Sequence, residues 1–232
     1  LSSAISMDKV STKLAVEKTL AKQGVRQANY IALRHSEWMK EKRKEEICTE
    51  VEEELRYPVF VKPSNAGSSC GVSKAENKEE LLKAVDFALT VDRRVLIEEC
   101  IKGRELECAV FSGIPGEVKA SSVGEIKAAA EFYDYDAKYN NPNSQTDINP
   151  DLPEGIEERI QKAAKSVFLA VDGFSLSRVD FFFTGEEIVF NEINTMPGFT
   201  SISMYPMLFQ KAGWNIEELV ENLISSAENR PT

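Results

Sequence analysis

The feature that most constrains the fold of this chain is a pair of segments rich in β-branched and aromatic residues, 178–183 and 188–194. They flank a short loop that contains glycine, and this pattern predicts two strands joined as a β-hairpin. A three-residue loop at 185–187 gives the hairpin a definite register. The register decides which side chains share a face, because a slip of one residue moves every side chain to the opposite face.

In this register Asp180 lies opposite Glu192, and Arg178 lies opposite Asn194. Residues two apart on a strand share a face, so we expect all four side chains on one side of the hairpin. The apolar pairs of the same register are Val179 with Ile193, Phe182 with Phe190, and Phe183 with Val189.

Two carboxylates and an amide oxygen beside a cation predict a divalent metal site on this face. Mg²⁺ takes one or two carboxylates and leaves its other positions to substrate phosphates. The alternative is a solvated hairpin whose polar residues face water, as most carboxylates do. The Pro197-Gly198 turn directly after the acidic strand favours the metal site, because a plain edge hairpin does not need such a turn.

Two other stretches carry residues suited to binding phosphates. The predicted strand 58–63 contains Lys62 near its end and leads into 64–72, where almost every residue is small. The amides and hydroxyls of such a loop suit phosphates; no Walker A lysine follows, and an ordinary hairpin turn is the alternative. A helix predicted at 7–23 starts near Lys9, whose charge opposes the helix dipole and is either solvated or directed at an anion.

The segment 130–153 is long, polar and poor in secondary-structure signal. Loops of this length are uncommon in compact domains and often cover active sites, so we expect a lid that carries Lys138. A disordered insertion is the alternative, against which the aromatic residues at 132–139 argue. A closing helix begins after Asn215, and we expect its apolar residues to face inward. These are Ile216, Leu219, Val220, Leu223 and Ile224.

Composition excludes several classes of protein. The 232 residues suffice for one large or two small domains. A net charge of −10 argues against a general surface for nucleic acid or anionic membrane, and no apolar run approaches the length of a membrane span. The four cysteines have no C-x-x-C spacing, which predicts reduced thiols in the cytoplasm. We also expect a fragment of a longer protein, since neither an initiator Met nor a signal peptide opens the chain.

Together these motifs resemble those of the D-alanine–D-alanine ligases, members of the ATP-grasp superfamily, in that family's order and over nearly the whole chain. The matching segments are Ser6-Met7-Asp8-Lys9, Val61-Lys62-Pro63-Ser64 with Gly67-Ser68-Ser69, Phe132-Tyr133-Asp134-Tyr135 with Ala137-Lys138-Tyr139, Ser177-Arg178-Val179-Asp180, and Asn191-Glu192-Ile193-Asn194-Thr195 with Pro197-Gly198-Phe199-Thr200-Ser201.

The resemblance implies an α+β fold of the ATP-grasp type, in which two α/β lobes grip the nucleotide between antiparallel sheets. We expect 1–8 to be the remnant of a linker from a missing N-terminal domain. Residues 9–101 would form the first lobe, with the phosphate loop at 64–72. Residues 102–232 would form the second lobe, with the lid at 130–153 and the metal hairpin at 178–194.

The resemblance also implies how the chain binds ATP and two Mg²⁺ ions, with Mn²⁺ as a possible substitute. Lys9 and Lys62 would hold phosphates, and Lys138 would contact the γ-phosphate. The implied metal ligands are Asp180, Glu192 and Asn194. The implied adenine and ribose contacts are the backbone of Glu98, Glu99, Cys100 and Ile101, the side chain of Glu105, and the further nucleotide-binding residues Tyr133 and Asn191.

For the amino-acid substrates, the resemblance implies an oxyanion site formed by Arg178 and the Gly198 amide. The further implied contacts are Ser203 and Met204 to the carboxylate of the second substrate, and Ser68 and Tyr139 to the first D-alanine. The first D-alanine carboxylate would attack the γ-phosphate, and the second D-alanine amine would displace phosphate from the acyl phosphate. The product would be the dipeptide used in peptidoglycan.

The family's N-terminal domain supplies the acid that holds the first D-alanine ammonium group. We therefore expect this chain alone to bind Mg²⁺-ATP, while ligation needs the longer protein, a homodimer at full length. Alternatives stay open: a D-alanine–D-serine ligase of the vancomycin-resistance type, another ATP-grasp carboxylate–amine ligase, or a nucleotide-binding module without activity. Tyr139 argues against the D-lactate-selective form.

Overall fold

The structure is a computed structural model that describes residues 1–113, 117–127 and 145–230. Its helices are α1 (Ser2–Ser6), α2 (Lys9–Lys22), α3 (His35–Trp38), α4 (Glu41–Glu50, continued by a π-helical turn at Val51–Leu55), α5 (Lys78–Val91), α6 (Ile156–Ala170), α7 (Met204–Lys211) and α8 (Ile216–Glu228). Its strands are β1 (Arg26–Gln27), β2 (Tyr30–Arg34), β3 (Val59–Pro63), β4 (Ser73–Ala75), β5 (Arg94–Glu99), β6 (Arg104–Ser112), β7 (Lys119–Lys127), β8 (Gln145–Asp147), β9 (Ser175–Phe183) and β10 (Ile188–Asn194).

The strands in the described ranges form two sheets. The larger sheet has the order β1-β10-β9-β6-β7-β8 and the smaller sheet the order β2-β5-β3-β4. The smaller sheet is antiparallel throughout. The larger sheet is antiparallel except where β1 runs parallel to β10. The predicted α+β fold with two sheets is therefore confirmed, and one of the sheets is mixed because β1 and β10 are parallel.

The smaller sheet packs one face on helix α5, and its other face carries Lys62. Val59 and Val61 of β3 are buried in a core that includes α5, and the Asn77 side chain caps α5 by accepting a 3.0 Å hydrogen bond from the Glu80 amide. Side chains alternate along β3, so Lys62 projects from the opposite face.

One face of the larger sheet packs against α2 and α6. Part of its other face belongs to a second core, and the rest of that face is polar. Leu106, Val179, Phe181 and Phe190 lie in the core beneath α2 and α6. On the opposite face α7 covers Phe111 and its neighbours. The rest of that face carries the charged side chains of β6, β9 and β10, since residues two apart on a strand point the same way.

The helix α2 packs with the larger sheet, although its residues were predicted in the first lobe, 9–101. Its apolar residues Val16 and Leu20 lie in the core of the larger sheet. The Asp8 side chain caps its first turn by accepting a 2.7 Å hydrogen bond from the Ser11 amide. The lysines on its first turns still extend toward the smaller sheet, so α2 connects the two lobes.

The hairpin of β9 and β10 has two registers joined by a β-bulge. Glu192 pairs with Asp180, and Asn194 pairs with Arg178, which confirms the predicted register of the polar half. The predicted pair of Val179 with Ile193 is confirmed, but beyond the bulge at Asn191 the register shifts by one residue, so the other two predicted apolar pairs are wrong. Phe190 pairs with Phe181, Val189 with Phe182, and Ile188 with Phe183. An extra residue on one strand shifts the pairing by one position. Phe190 therefore faces the core, while Glu192 faces the polar surface beside Asp180.

The closing helix α8 buries less of its apolar surface than predicted. Leu219 is buried, but Ile216, Val220 and Ile224 are exposed. A helix on the outside of a domain contacts its neighbours along one stripe, so the residues beside that stripe face solvent. Within the described ranges, no helix is long and apolar enough to cross a membrane.

Candidate active site

Acidic and amide side chains meet on the polar face of the larger sheet. Asp180 is buried and accepts two hydrogen bonds from Arg178, at 2.8 Å from Nε and 2.7 Å from Nη2. Glu192 and Asn194 are half-buried on the neighbouring strand, opposite Asp180 and Arg178. The three oxygen-bearing residues predicted as metal ligands therefore share one surface.

Glu107 also belongs to this surface, although no motif pointed to it. The register of β6 sets Glu107 opposite Asp180, on the side away from Glu192. Its Oε2 lies 3.1 Å from Nε of Arg178. Burial would lower the pKa of Arg178, but the charges of Asp180 and Glu107 outweigh burial and raise it above its ordinary value. Glu105 and Glu107 alternate with apolar residues at the start of β6, and this alternation was the sequence signal that could have identified Glu107.

The predicted phosphate lysine Lys62 is held by a buried carboxylate. Its Nζ lies 2.5 Å from Oε2 of Glu98. The other oxygen of Glu98 lies 2.6 Å from Nζ of Lys13. Burial would raise the pKa of the Glu98 carboxyl, but the charges and hydrogen bonds of the two lysines lower it to about 2. The side chain of Glu98 thus fixes Lys62, while only its backbone was predicted to act.

Lys9 ties the start of α2 to the small-residue loop. Its Nζ donates a 2.6 Å hydrogen bond to the Ala66 carbonyl, and its amide donates a 2.9 Å hydrogen bond to the Ser64 carbonyl. Burial lowers the pKa of Lys9, and the charge of Glu192 opposes this effect. Glu192 also acts on Lys62, whose pKa is raised because carboxylates led by Glu98 outweigh burial. The predicted phosphate lysines and the predicted metal ligands therefore lie close enough to interact electrostatically.

The small-residue loop turns sharply beside these lysines. Ser68 and Ser69 have φ values of 51° and 58°, and Gly71 has a φ of 75°. A Cβ atom at Gly71 would lie 2.7 Å from the Pro63 ring, so glycine is required there. Ser68 is exposed at the turn, where its hydroxyl is accessible to a ligand.

The predicted adenine hinge begins where β5 ends. Glu98 and Glu99 are the last two residues of that strand, and the Glu99 carboxylate accepts hydrogen bonds from Arg26 Nη1 at 2.6 Å and the Asn29 amide at 2.7 Å. Cys100 lies beyond the strand and is half-buried.

Three more predicted nucleotide contacts occupy the hinge and the polar face of the larger sheet. Ile101 follows Cys100 and is half-buried. Glu105 lies on β6, opposite Phe182 and two residues before Glu107, so it shares the polar face. The bulge residue Asn191 is half-buried.

The segment after β10 positions the predicted substrate residues. A Cβ atom at Gly198 would lie 2.8 Å from Oγ of Ser203, so a side chain there would displace the Ser203 hydroxyl. Oγ of Ser203 accepts a 3.0 Å hydrogen bond from the Thr200 amide. The Met204 side chain is buried and packs against Gly124, and its contact with the carboxylate of the second substrate stays a prediction. Tyr133, Lys138 and Tyr139 lie outside the described residues.

The oxygen donors on the larger sheet fit Mg²⁺ bound together with phosphate. Each carboxylate oxygen of Asp180 retains a lone pair after bonding Arg178, and the Glu192 carboxylate adds a second hard ligand. Within the described ranges, no three His, Cys, Asp or Glu side chains converge as a ready-made metal cluster. A site with two carboxylates and an amide leaves positions for phosphate oxygens, as Mg²⁺ prefers.

Known proteins align with this chain over nearly its whole length. A D-alanine–D-alanine ligase from Acetivibrio thermocellus is 49% identical over 232 residues, which cover 99% of this chain and 60% of that protein. The solved structure of the VanG D-Ala:D-Ser ligase from Enterococcus faecalis aligns with a TM-score of 0.80 at 37% identity, covering 97% of this chain and 62% of that one. The D-alanine–D-alanine ligase from Bacillus anthracis complexed with ATP aligns with a TM-score of 0.75 at 28% identity, covering 98% and 68% of the two chains.

The chain thus spans about 60% of the length of the curated relatives it matches. Residues 19–225 match the family described as D-ala D-ala ligase C-terminus. The solved ligases cover 97% and 98% of this chain. The chain therefore belongs to the D-alanine–D-alanine ligase family, and it corresponds to the C-terminal region of its members.

Proposed function

We propose that this chain carries the ATP-binding and catalytic lobes of an ATP-dependent ligase that joins D-alanine to D-alanine. The observation that carries the proposal is the approach of Lys9 and Lys62 to Glu192, which joins a cationic surface to an acidic one. Phosphoryl transfer depends mainly on charge neutralisation and positioning. Family membership and the ATP complex of the Bacillus anthracis relative support the nucleotide.

Each surface would serve one part of the reaction. Lys9 and Lys62 would neutralise the phosphates, and Asp180, Glu192 and Asn194 would hold Mg²⁺, which supplies charge stabilisation at the transferred phosphoryl group. Arg178 keeps N–H groups beyond those that bond Asp180, so it can stabilise an oxyanion.

Further residues would contact the substrates or exclude water from the active site. The Gly198 amide would share the oxyanion with Arg178, and Ser68 would orient the first D-alanine. Lys138 and Tyr139 would belong to the lid proposed at 130–153, and exclusion of water would protect an acyl phosphate from hydrolysis.

The test separates nucleotide binding from ligation. Titration calorimetry of this chain with a non-hydrolysable ATP analogue and Mg²⁺ should show saturable binding, and absence of heat would contradict the proposal. The longer protein should release ADP and phosphate when supplied with ATP and D-alanine. We extend the proposal to a cytoplasmic homodimer of the longer protein, which size-exclusion chromatography with light scattering would test.

A D-alanine–D-serine ligase is the second candidate, because the VanG relative named for that activity aligns over 97% of this chain. A pocket excludes one added hydroxyl only weakly, so the two activities can share a scaffold. Competition between D-alanine and D-serine as the second substrate, followed by mass spectrometry of the dipeptides, decides between them.

A further inference from the structure

A buried lysine that the proposed function does not use lies beside Lys62. Lys13 is 3% exposed and stands one helical turn after Lys9 on α2. Its Nζ lies 2.6 Å from Glu98 Oε1, 3.4 Å from the Ala28 carbonyl and 5.1 Å from the centre of the Tyr30 ring. Burying an ammonium group costs free energy unless it is paired, so its position needs an explanation.

The pairing of Lys13 divides one carboxylate between two cations. Glu98 presents Oε1 to Lys13 and Oε2 to Lys62. One negative charge set against two positive charges leaves a net charge of one positive unit. Without Lys13, Glu98 and Lys62 would form a pair with no net charge, which would attract an anionic ligand less strongly.

Lys13 also differs from Lys62 in its access to a ligand. The side chain of Lys62 is 19% exposed, whereas that of Lys13 is 3% exposed. A phosphate can therefore approach Lys62 directly, while Lys13 would act only through Glu98. A purely structural brace between α2 and the smaller sheet is the competing explanation, since Lys13 and Glu98 come from these two parts of the fold.

We propose that Lys13 is a positioning residue for the phosphates of the nucleotide. By sharing the Glu98 carboxylate with Lys62, it helps fix Lys62 in place and leaves the group of three residues with a net positive charge toward the ligand. This inference rests on the proposed function, because it assumes that Lys62 binds phosphate.

The test compares a phosphate-bearing ligand with one that lacks phosphate. In Lys13→Met, we expect Mg²⁺ with a non-hydrolysable ATP analogue to bind roughly 10-fold more weakly, because one positive charge near the phosphates is lost. Adenosine binding, followed by ligand-observed NMR, should stay unchanged. Lys13→Gln keeps a hydrogen-bond donor for Glu98 and should show the same selective loss, even if Lys13→Met fails to fold.

Two further variants serve as controls. Lys18→Met removes the same charge from an exposed position of the same helix and should leave both affinities unchanged. Lys13→Arg keeps the charge and should recover most of the analogue affinity. Thermal unfolding of each variant shows whether it is folded.

Three outcomes would overturn the inference. Unchanged analogue affinity in folded Lys13→Met and Lys13→Gln would show that the charge of Lys13 does not reach the phosphates. An equal loss for adenosine and the analogue would indicate the structural brace. Absence of analogue binding by the parent chain would overturn the proposed function and this inference with it, whereas the first two outcomes would leave the proposed function intact.

Discussion

Two buried charge clusters, one around Lys62 and one around Arg178, differ in the sign of their net charge. In the lysine cluster, two cations share one carboxylate, which leaves a positive charge beside Lys62. In the arginine cluster, Arg178 is surrounded by Asp180, Glu107 and the nearby Glu192, which leaves a negative charge.

The difference shows how buried charge can be stabilised without being cancelled. Each cluster contains counter-ions that reduce the cost of burial, but in unequal numbers. The residual charge in each case has the sign opposite to the ligand we propose for it, phosphate for the lysine cluster and Mg²⁺ for the arginine cluster. A substitution that changes the net charge of one cluster should therefore affect the binding of its own proposed ligand more than the binding of the other.

The largest effect is expected from Asp180→Asn, which removes the charge of a proposed metal ligand and of the main partner of Arg178. ADP formation by the longer protein should fall by more than the roughly 10- to 100-fold typical of losing an outer partner of a metal ligand. A coupled assay of ADP release over a range of Mg²⁺ concentrations measures this. Asp172→Asn, at an exposed turn, is the matched control, and equal activity of the two variants would contradict the metal assignment.

The next effect concerns Glu98 and acid. The pKa of Glu98 is lowered from 4.5 to about 2 in the fold, so its ion pairs contribute about 3 kcal/mol of stability above pH 4.5. That contribution should disappear as the pH falls from about 4.5 toward 2, because protonated Glu98 no longer pairs with Lys13 and Lys62. Urea unfolding from pH 6 to pH 2 measures the change, and Glu98→Gln should show a shallower decline. Parallel declines would contradict the lowered pKa.

Lys62→Ala tests the lysine cluster through its ligand. With the analogue at 100 times its dissociation constant, ligand binding should stabilise the parent chain by about 2.7 kcal/mol. The variant should lose most of that stabilisation, because Lys62 is the exposed cation of the cluster. Differential scanning fluorimetry with and without the analogue and Mg²⁺ measures it. Lys83→Ala, at an exposed position of α5, should retain the full effect.

The smallest effect is expected from Glu107→Gln, which keeps the shape of the side chain and removes its charge. The arginine cluster becomes less negative, so Mg²⁺-dependent binding of the analogue should weaken by roughly 10-fold, about 1.4 kcal/mol. Titration of Mg²⁺ at a fixed analogue concentration measures this. Glu186→Gln, in the exposed hairpin loop, is the control, and the same Mg²⁺ dependence in both variants would show that Glu107 has no part in the site.

Sequence reasoning pointed to candidate residues that lie in motifs, and it did not point to buried residues that pair with distant parts of the chain. Lys62, Asp180 and Glu192 were predicted because a strand end and a hairpin register set their positions. Lys13 and Glu107 were not predicted, because each owes its role to a partner on another element. Their partners, Glu98 and Arg178, are 85 and 71 residues away in the chain.

The hairpin shows the same limit within two neighbouring strands. The pairing of Asp180 with Glu192 could be predicted, whereas the pairing of Phe190 with Phe181 could not. The bulge at Asn191 changes the register between these pairs, and both registers join apolar residues to apolar residues. Pattern alone could not distinguish them, because the core beneath α2 and α6 accepts either set of side chains by polarity.

Local pattern alone determined the strands, the helix stripes, the small-residue loop and the acids of the hairpin, since alternation and spacing act over a few residues. Tertiary structure decided which charges became neighbours, how α2 connects the two sheets and where the bulge lies. Coulomb interactions in a low-dielectric interior depend on distance in space, and separation along the chain does not reveal that distance.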